Sequence, residues 1–189
     1  MNTPLMHQER FFAYGEDEDL QLLWIPYQER ALSMVVLLPK KADGEGGGLA
    51  ALEKKLTADN LNRWFKNIGV AKVDVTLPKF TFSSRFYLGK NLAAMGMPDA
   101  FNGSKADFSG MTTAEHLYIG EAIHQAFVVV DEEGTEAAAA TAVMLVGAAR
   151  PKPEEPRVFK ADHPFIFLIR HNATGEILFL GRVVNPKSE

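Results

Sequence analysis

The feature that most constrains the fold is a series of short apolar runs, each ended by turn-forming residues. Two of them, residues 165–169 and 177–180, are apolar at every position. Because successive side chains of a strand point to opposite faces, such runs predict strands that are buried on both faces. The segment 171–176 between them contains Asn172 and Gly175, which favour turns. We therefore predict a hairpin inside a sheet that is covered on each side.

Four further segments are predicted to be strands, namely residues 20–27, 31–38, 70–82 and 116–131. The third of these alternates clearly between apolar and polar residues and so predicts a half-buried strand. Pro78 should mark a bend or an edge in it. The apolar face of this strand consists of Val73, Val75 and Leu77, and the polar face of Lys72, Asp74 and Thr76.

Short helices are predicted where apolar residues recur at helical spacing. Leucines at positions 49, 52, 56 and 61 follow this spacing, and Thr57 is a good N-cap for a helix over residues 58–68. Residues 88–97 predict another short helix, ended by Gly96 and Pro98. The glycine-rich segment 43–48 predicts a connector.

The balance of these elements indicates an incomplete fold. The sequence predicts about seven strands and three or four short helices. This proportion of strand is high for a self-contained domain. The strands buried on both faces require covering elements that this chain hardly supplies. We therefore predict a fragment of a larger α+β fold.

Composition excludes several kinds of partner. The formal net charge is −4 and no basic stripe is visible, so no nucleic acid or polyanion cofactor is expected. No apolar run is long enough to cross a membrane, and no signal peptide is recognisable at the N-terminus. With no cysteine, disulfides and thiolate metal sites are excluded, and the compartment is left open.

No catalytic or metal motif is present in the sequence. Nucleophile elbows, phosphate loops and dinucleotide fingerprints are all absent. The five histidines never lie three to five positions apart, so helix-type metal pairs are excluded and we expect no metal site. Since the other motifs are absent as well, we expect no cofactor, and we do not expect the chain to be an enzyme. The acidic segment 16–19 could hold calcium, but a solvated turn before a strand is the better interpretation.

Residues 134–143 form an unusual segment of small side chains. If it is extended, Thr135, Ala137 and Ala139 lie on a face without any charge, while Glu136 lies on the opposite face. Such a face could enter a sheet. Composition alone also fits an alanine-rich helix or a flexible linker. The prolines at positions 151, 153 and 156 then exclude a continued helix and predict an extended, exposed loop.

Several motifs resemble one known family. Residues 132–141 resemble the hinge of inhibitory serpins, and residues 162–169 and 179–186 resemble the serpin C-terminal signature. Residues 77–80, residues 108–111 and the strand around His124 match as well. The resemblance extends over essentially the whole chain and keeps the order of the family's motifs, but it covers only the family's C-terminal half.

The resemblance implies the fold and its divisions. The fold would be α+β, the C-terminal portion of a serpin, mainly β-sheet with a few short helices. Residues 1–189 would form the C-terminal part of a single serpin domain. Within it, residues 131–163 would be the hinge and reactive-centre loop, and residues 164–189 the C-terminal strand pair.

The resemblance also implies a mechanism. A serpin is a suicide-substrate inhibitor of serine proteases: the protease attacks the loop, forms an acyl-enzyme, and is distorted when the cleaved loop inserts into the large sheet. Serpin loop insertion is a known example of a segment with two stable conformations. The implied hinge consists of Glu132, Gly134, Thr135, Glu136, Ala137, Ala138, Ala139 and Ala140.

The usual inhibitory spacing from Gly134 places the reactive bond at Ala148–Ala149. Small residues there imply a serine protease with a shallow primary pocket, of elastase or subtilisin type. Arg150 is the alternative, disfavoured because trypsin-like enzymes cleave poorly before a proline such as Pro151.

Two structural features follow from the resemblance. His124 corresponds to a histidine that stabilises the middle of the large sheet, and it is expected to be a hydrogen-bonded core residue. Lys79 and Glu132 correspond to a salt bridge at the point where the loop enters the sheet.

The main alternative function belongs to another class of protein. The chain would then be an incomplete or non-inhibitory serpin-like fragment, at most a protease substrate or an interaction unit. The missing N-terminal half is a further expected partner, because an inserting strand needs neighbours on both sides. An extracellular location would fit the family.

Overall fold

The computed structural model describes residues 4–41, 47–132 and 155–186, and within these ranges the chain forms nine strands and three α-helices. The strands are β1 (Leu5–Glu16), β2 (Leu20–Pro26), β3 (Leu32–Pro39), β4 (Gly69–Pro78), β5 (Phe80–Tyr87), β6 (Ile123–Val130), β7 (Arg157–Lys160), β8 (Phe165–His171) and β9 (Ile177–Val183). The helices are α1 (Gly48–Lys55), α2 (Ala58–Lys66) and α3 (Gly89–Ala94), with short 3-10 turns at Gln28–Arg30 and Asp99–Phe101.

The described residues form two compact units. The first comprises residues 4–80 and 130–186 and contains a seven-stranded sheet with α1 and α2. The second comprises residues 81–129 and contains α3 and nearly all of β5 and β6, which pair as a two-stranded sheet. The assignment of the whole chain to a single serpin domain stays a prediction, as do its inner boundaries.

The large sheet has the strand order β7-β4-β1-β2-β3-β8-β9. All neighbouring strands in it are antiparallel except β4 and β7, which are parallel. The inner strands β3 and β8 have runs of consecutive buried apolar residues, as the sequence pattern predicts for strands buried on both faces. The edges are β7 and β9.

One apolar core lies between the sheet and the first two helices. Leu22, Val35 and Leu168 present one face of the sheet to Leu52 and Trp64 of α1 and α2. Burial of this apolar area stabilises the fold. The predicted helix start at Thr57 is confirmed, since its side chain accepts a hydrogen bond from the Asn60 N–H at 3.2 Å. None of the described helices has the length and apolar character needed to span a membrane.

The bend predicted at Pro78 is confirmed, but the single strand predicted over residues 70–82 is corrected to two. The chain leaves β4 at Pro78, and β5 begins at Phe80 and joins a different sheet. Proline has no N–H for a sheet ladder, and the following Lys79 N–H donates instead to the Pro4 carbonyl at 3.0 Å. Val73, Val75 and Leu77 are buried as expected.

Three other expectations about strands are corrected. The strand predicted over residues 116–131 begins only at Ile123, and neither β1 nor β7 was evident from the sequence pattern. The prediction that residues 177–180 are buried on both faces is wrong, since these residues are 39–55% exposed. The cause is position: β9 is an edge strand and has only β8 beside it among the described residues.

Candidate functional site: the two ends of the loop

The chain leaves the fold towards the predicted loop at the end of β6. Val130 is buried, and Asp131 and Glu132 follow it. The Lys79 ammonium group, just beyond β4, forms an ion pair with the Glu132 carboxylate, and both side chains are exposed. A hydrogen bond from Lys79 lowers the pKa of Glu132. The structure therefore brings together the two residues that the resemblance pairs, while their role at the loop entrance stays a prediction.

Residues 155–163 of the predicted loop are described and include β7, but residues 133–154 lie outside the described residues. This applies to the hinge residues Gly134, Thr135, Glu136, Ala137, Ala138, Ala139 and Ala140, and to Ala148, Ala149 and Arg150 at the reactive bond. The geometry of the site is therefore the geometry of the two segments that hold the loop.

The chain returns to the fold in β7. This strand pairs with β4 in parallel, with Arg157 opposite Val73 and Phe159 opposite Val75. Phe159 is fully buried, whereas its neighbour Val158 is 61% exposed. Beyond the strand, the Ala161 N–H continues the ladder by donating to the Thr76 carbonyl at 2.9 Å. The C-terminal end of the loop is thus continuous with the core.

Side chains from β1 and β2 also contact β7. The Gln21 amide donates to the Val158 carbonyl at 2.9 Å, and Arg157 forms an ion pair of 3.3 Å with Glu16. Lys40 pairs with the same carboxylate at 2.8 Å. The sequence pattern predicts that Glu16 lies in a solvated acidic turn, and it contains no signal for a contact between Gln21 and β7. No local motif could have revealed these contacts, because the partners are 137 and 141 positions apart.

A second set of polar contacts follows β7. The His163 ring lies with Nε2 at 2.6 Å from the Pro39 carbonyl oxygen and with Nδ1 at 2.9 Å from the Asp162 carboxylate. Lys160 pairs with the other oxygen of Asp162 at 3.0 Å. Hydrogen bonds from His163 and then Lys160 lower the pKa of Asp162. These contacts join the chain after β7 to the end of β3.

His124 lies on β6 in the second unit. Its ring stacks on that of Phe86 of β5, with centroids 6.4 Å apart and an angle of 24° between the rings. The side chain is exposed, so the expectation of a core histidine is wrong for this structure. A role for His124 in stabilising the sheet stays a prediction, and the stacking is the contact through which it would act.

The acidic segment between β1 and β2 is explained by contacts within the protein. Asp17 accepts hydrogen bonds from the Asp19 and Leu20 N–H groups at 2.8 and 3.0 Å, and from the Trp64 indole at 3.0 Å. Asp19 pairs with Lys55 at 2.5 Å. Within residues 4–41, 47–132 and 155–186, no group of three or more histidine, aspartate or glutamate side chains could hold a metal ion.

Comparisons with a family model and with individual proteins identify the same family. The family model described as serpin (serine protease inhibitor) matches residues 1–186. The human leukocyte elastase inhibitor is 47% identical over 186 residues, covering 96% of this chain and 48% of the relative. An uncharacterized serpin-like protein of Thermococcus kodakarensis is 46% identical over 185 residues, covering 98% of this chain and 42% of the relative.

Solved structures show the same similarity. Thyroxine-binding globulin in complex with thyroxine matches with a TM-score of 0.77 and 30% identity, over 98% of this chain and 47% of that one. Uncleaved ovalbumin matches with a TM-score of 0.79 and 31% identity, over 97% of this chain and 44% of that one. The chain therefore spans about half the length of these relatives and has the fold of the corresponding portion.

Proposed function

Since the chain belongs to the serpin family of serine protease inhibitors, we propose that it provides the bait loop of a suicide-substrate inhibitor and is not itself an enzyme. The observation that carries the proposal is the unequal attachment of the loop. Its N-terminal end follows the buried Val130 and has an exposed ion pair at Glu132, and its C-terminal end continues into a strand with a fully buried phenylalanine. This inequality suits a loop of which one part moves and the other stays.

In the proposed reaction the serine hydroxyl of the protease attacks the Ala148 carbonyl. The bond to the Ala149 nitrogen breaks, the amine takes a proton, and Ala148 remains as an ester on the protease. The segment from Glu132 to Ala148 then carries the protease, while Ala149 stays with β7. Small residues at the hinge, such as Ala137 and Ala139, let this segment enter a sheet before water hydrolyses the ester.

The proposed target is a serine protease with a shallow primary pocket. Alanine at the reactive bond suits an elastase- or subtilisin-type enzyme, and several relatives of this chain are named leukocyte elastase inhibitors. Cleavage after Arg150 is the less favoured alternative because Pro151 follows it.

Insertion requires a sheet that can receive the strand. Among the described residues, β6 has only β5 as a partner, and its Phe127 and Val129 are exposed. The chain also spans about half the length of its relatives. We therefore include in the proposal a complementary N-terminal half, which would supply further strands to this sheet.

The experiment that tests the function is a titration of elastase with the purified chain, alone and together with a complementary N-terminal half. Proposed inhibition predicts loss of protease activity and a complex that survives SDS electrophoresis when both halves are present. Cleavage of the chain without such a complex, even with both halves present, would contradict the proposal and would favour the second candidate, a fragment that is only a substrate. That candidate is supported by the half-length match.

A matched pair of hinge variants sharpens the test. Ala139→Asp places a charge on the uncharged face of the inserting strand, which would pack against the core. It should convert the inhibitor into a substrate. Ala140→Asp places the same charge on the opposite face, and this variant should still form most of the SDS-stable complex. If both variants formed the same amount of complex, insertion of the segment as a strand would be contradicted.

The position of the reactive bond is tested by mass spectrometry of the cleaved chain, which should find the first cut at Ala148–Ala149.

A further inference from the structure

The strand that follows the loop is weakly held by its own backbone. It has four residues, lies at an edge of the sheet, and its one pairing among the described strands, with β4, is parallel. Parallel pairing is slightly less stable per residue than antiparallel pairing, and so short a strand contributes few hydrogen bonds. Additional contacts are needed if its first residues are to stay in register.

Gln21 supplies such a contact across the sheet. Its side-chain amide nitrogen has two hydrogens, and both have acceptors: the Tyr14 hydroxyl oxygen at 2.9 Å and the Val158 carbonyl oxygen at 2.9 Å. The amide therefore links β2 to β1 and, at the same time, to the second residue of β7.

Glu16 supplies the second contact. Its carboxylate pairs with Arg157, the first residue of β7, and with Lys40 at the end of β3. The contact with Lys40 and, to a smaller extent, the nearby Tyr14 hydroxyl lower the pKa of Glu16. Tyr14 is buried, and this burial raises the pKa of its phenol. Glu16 and Gln21 thus contact the first two residues of β7, and Tyr14 lies beside both of them.

We infer that Gln21 and Glu16 are positioning residues that hold β7 on the sheet edge and thereby fix where the C-terminal end of the loop begins. Gln21 is the more important of the two, because its bond to Val158 acts on the backbone itself. The Glu16–Arg157 pair is largely exposed and contributes less. The anchoring of β7 stands on its own, whereas its effect on inhibition rests on the proposed function.

The test is hydrogen exchange of the full chain, followed by mass spectrometry of peptides covering residues 155–161 and 33–38. Gln21→Glu keeps the shape of the side chain but removes both donors, and it places a carboxylate beside the Val158 carbonyl. We expect about tenfold faster exchange in β7, with little change in β3. Glu16→Gln should give about a twofold to threefold increase.

The matched control is Gln28→Glu, the same substitution at an exposed position in a 3-10 turn. It should leave exchange in β7 unchanged. The inference is overturned if Gln21→Glu leaves β7 within twofold of the wild type, or if β3 accelerates equally, since that would be general destabilisation. If Gln21→Glu does not fold, Tyr14→Phe removes only the hydroxyl and should accelerate β7 by a smaller factor.

Titration with elastase separates this inference from the proposed function. If the wild-type chain forms the SDS-stable complex, Gln21→Glu should increase the fraction of the chain that is cleaved without forming the complex. If this fraction is unchanged while hydrogen exchange in β7 is faster, Gln21 holds β7 on the sheet but has no effect on inhibition. If the wild type forms no complex, the proposed function fails, and the exchange measurement still decides whether the two residues hold β7.

Discussion

The two ends of the loop differ in how the protein holds them. At the N-terminal end, Glu132 contacts Lys79 in an ion pair that is open to solvent. At the C-terminal end, Phe159 of the edge strand β7 is fully buried, and Gln21 and Glu16 bind the two residues before it. Each junction adjoins a buried apolar residue, Val130 on one side and Phe159 on the other, but only at the N-terminal end does an exposed ion pair follow the buried residue towards the loop.

The difference has a physical consequence for movement. Exposed ion pairs are weak because water screens them and because both side chains lose freedom, whereas full burial of a phenylalanine contributes about 1.5–3 kcal/mol. The ion pair can therefore separate at small cost, whereas removal of Phe159 from the core costs more. Under the proposed function, in which the loop is cut and then partly inserted, this arrangement leaves β7 in place.

Removal of the buried side chain should have the largest effect. Phe159→Ala should lower the free energy of unfolding by about 3–5 kcal/mol, measured by urea denaturation, because it creates a cavity in the core. Val158→Ala, at the exposed neighbouring position, should change it by less than about 0.5 kcal/mol. Similar effects of the two substitutions would show that β7 is not part of the core, and the contrast between the two ends would be lost.

The contacts after β7 should give an intermediate effect that depends on pH. Since His163 and Lys160 lower the pKa of Asp162, its carboxylate stabilises the fold above its ordinary pKa of 3.8, and this contribution is lost as the pH falls through the lower folded value. Asp162→Asn should therefore lower the free energy of unfolding at pH 7 by less than about 1 kcal/mol. The difference between the free energies of unfolding at pH 7 and pH 3 should be smaller in this variant than in the wild type.

The control for this prediction is Glu18→Gln, at an exposed carboxylate in the turn between β1 and β2. It should leave the stability at pH 7 nearly unchanged. A loss of stability equal to that of Asp162→Asn would contradict a specific role for the contacts with His163 and Lys160. Urea denaturation at both pH values provides the measurement.

Breaking the exposed ion pair should have the smallest effect on the fold. Glu132→Lys should accelerate hydrogen exchange around residues 130–132 by less than about tenfold and leave overall stability unchanged. In a full-length form, it should also promote loop mobility and polymerisation. Glu155→Lys makes the same change at the other end of the loop, where the described residues show no ion pair, and should leave this exchange unaltered.

The pH dependence of the same junction provides an independent check. The hydrogen bond from Lys79 lowers the pKa of Glu132, so the pair is intact above the ordinary value of 4.5 and is lost as the pH falls through the folded value. Acid should therefore accelerate exchange at residues 130–132 in the wild type relative to Glu132→Lys, after correction for the intrinsic exchange rate. An identical pH response of the two proteins would contradict the ion pair.

Much of the fold follows from local pattern. Consecutive apolar residues predicted the central strands, because a strand covered on both faces has no polar side, and alternation at Val73, Val75 and Leu77 predicted the buried face of β4. Thr57 predicted the start of α2, because its hydroxyl can accept a backbone N–H. The Lys79–Glu132 pair was identified by resemblance to the family and not by any local signal.

Other features could not be predicted locally. The sequence of β1 does not alternate regularly, and its strand forms because β4 pairs with residues 5–14 and β2 with residues 13–16. β7 has only four residues, too few for a recognisable pattern. His124 was expected in the core, yet it lies exposed on β6, since a residue's burial depends on the elements that pack beside it.

The sequence by itself determined which segments are apolar, where the chain turns, and that a run of mostly small side chains with one charge, Glu136, precedes a proline-rich stretch. These are local properties, and neighbouring residues suffice to specify them. Only the tertiary structure decided how the chain is held at either side of that run. Strand pairing and side-chain contacts between positions more than 130 residues apart bring Gln21 and Glu16 to β7, and no local pattern encodes such a distance.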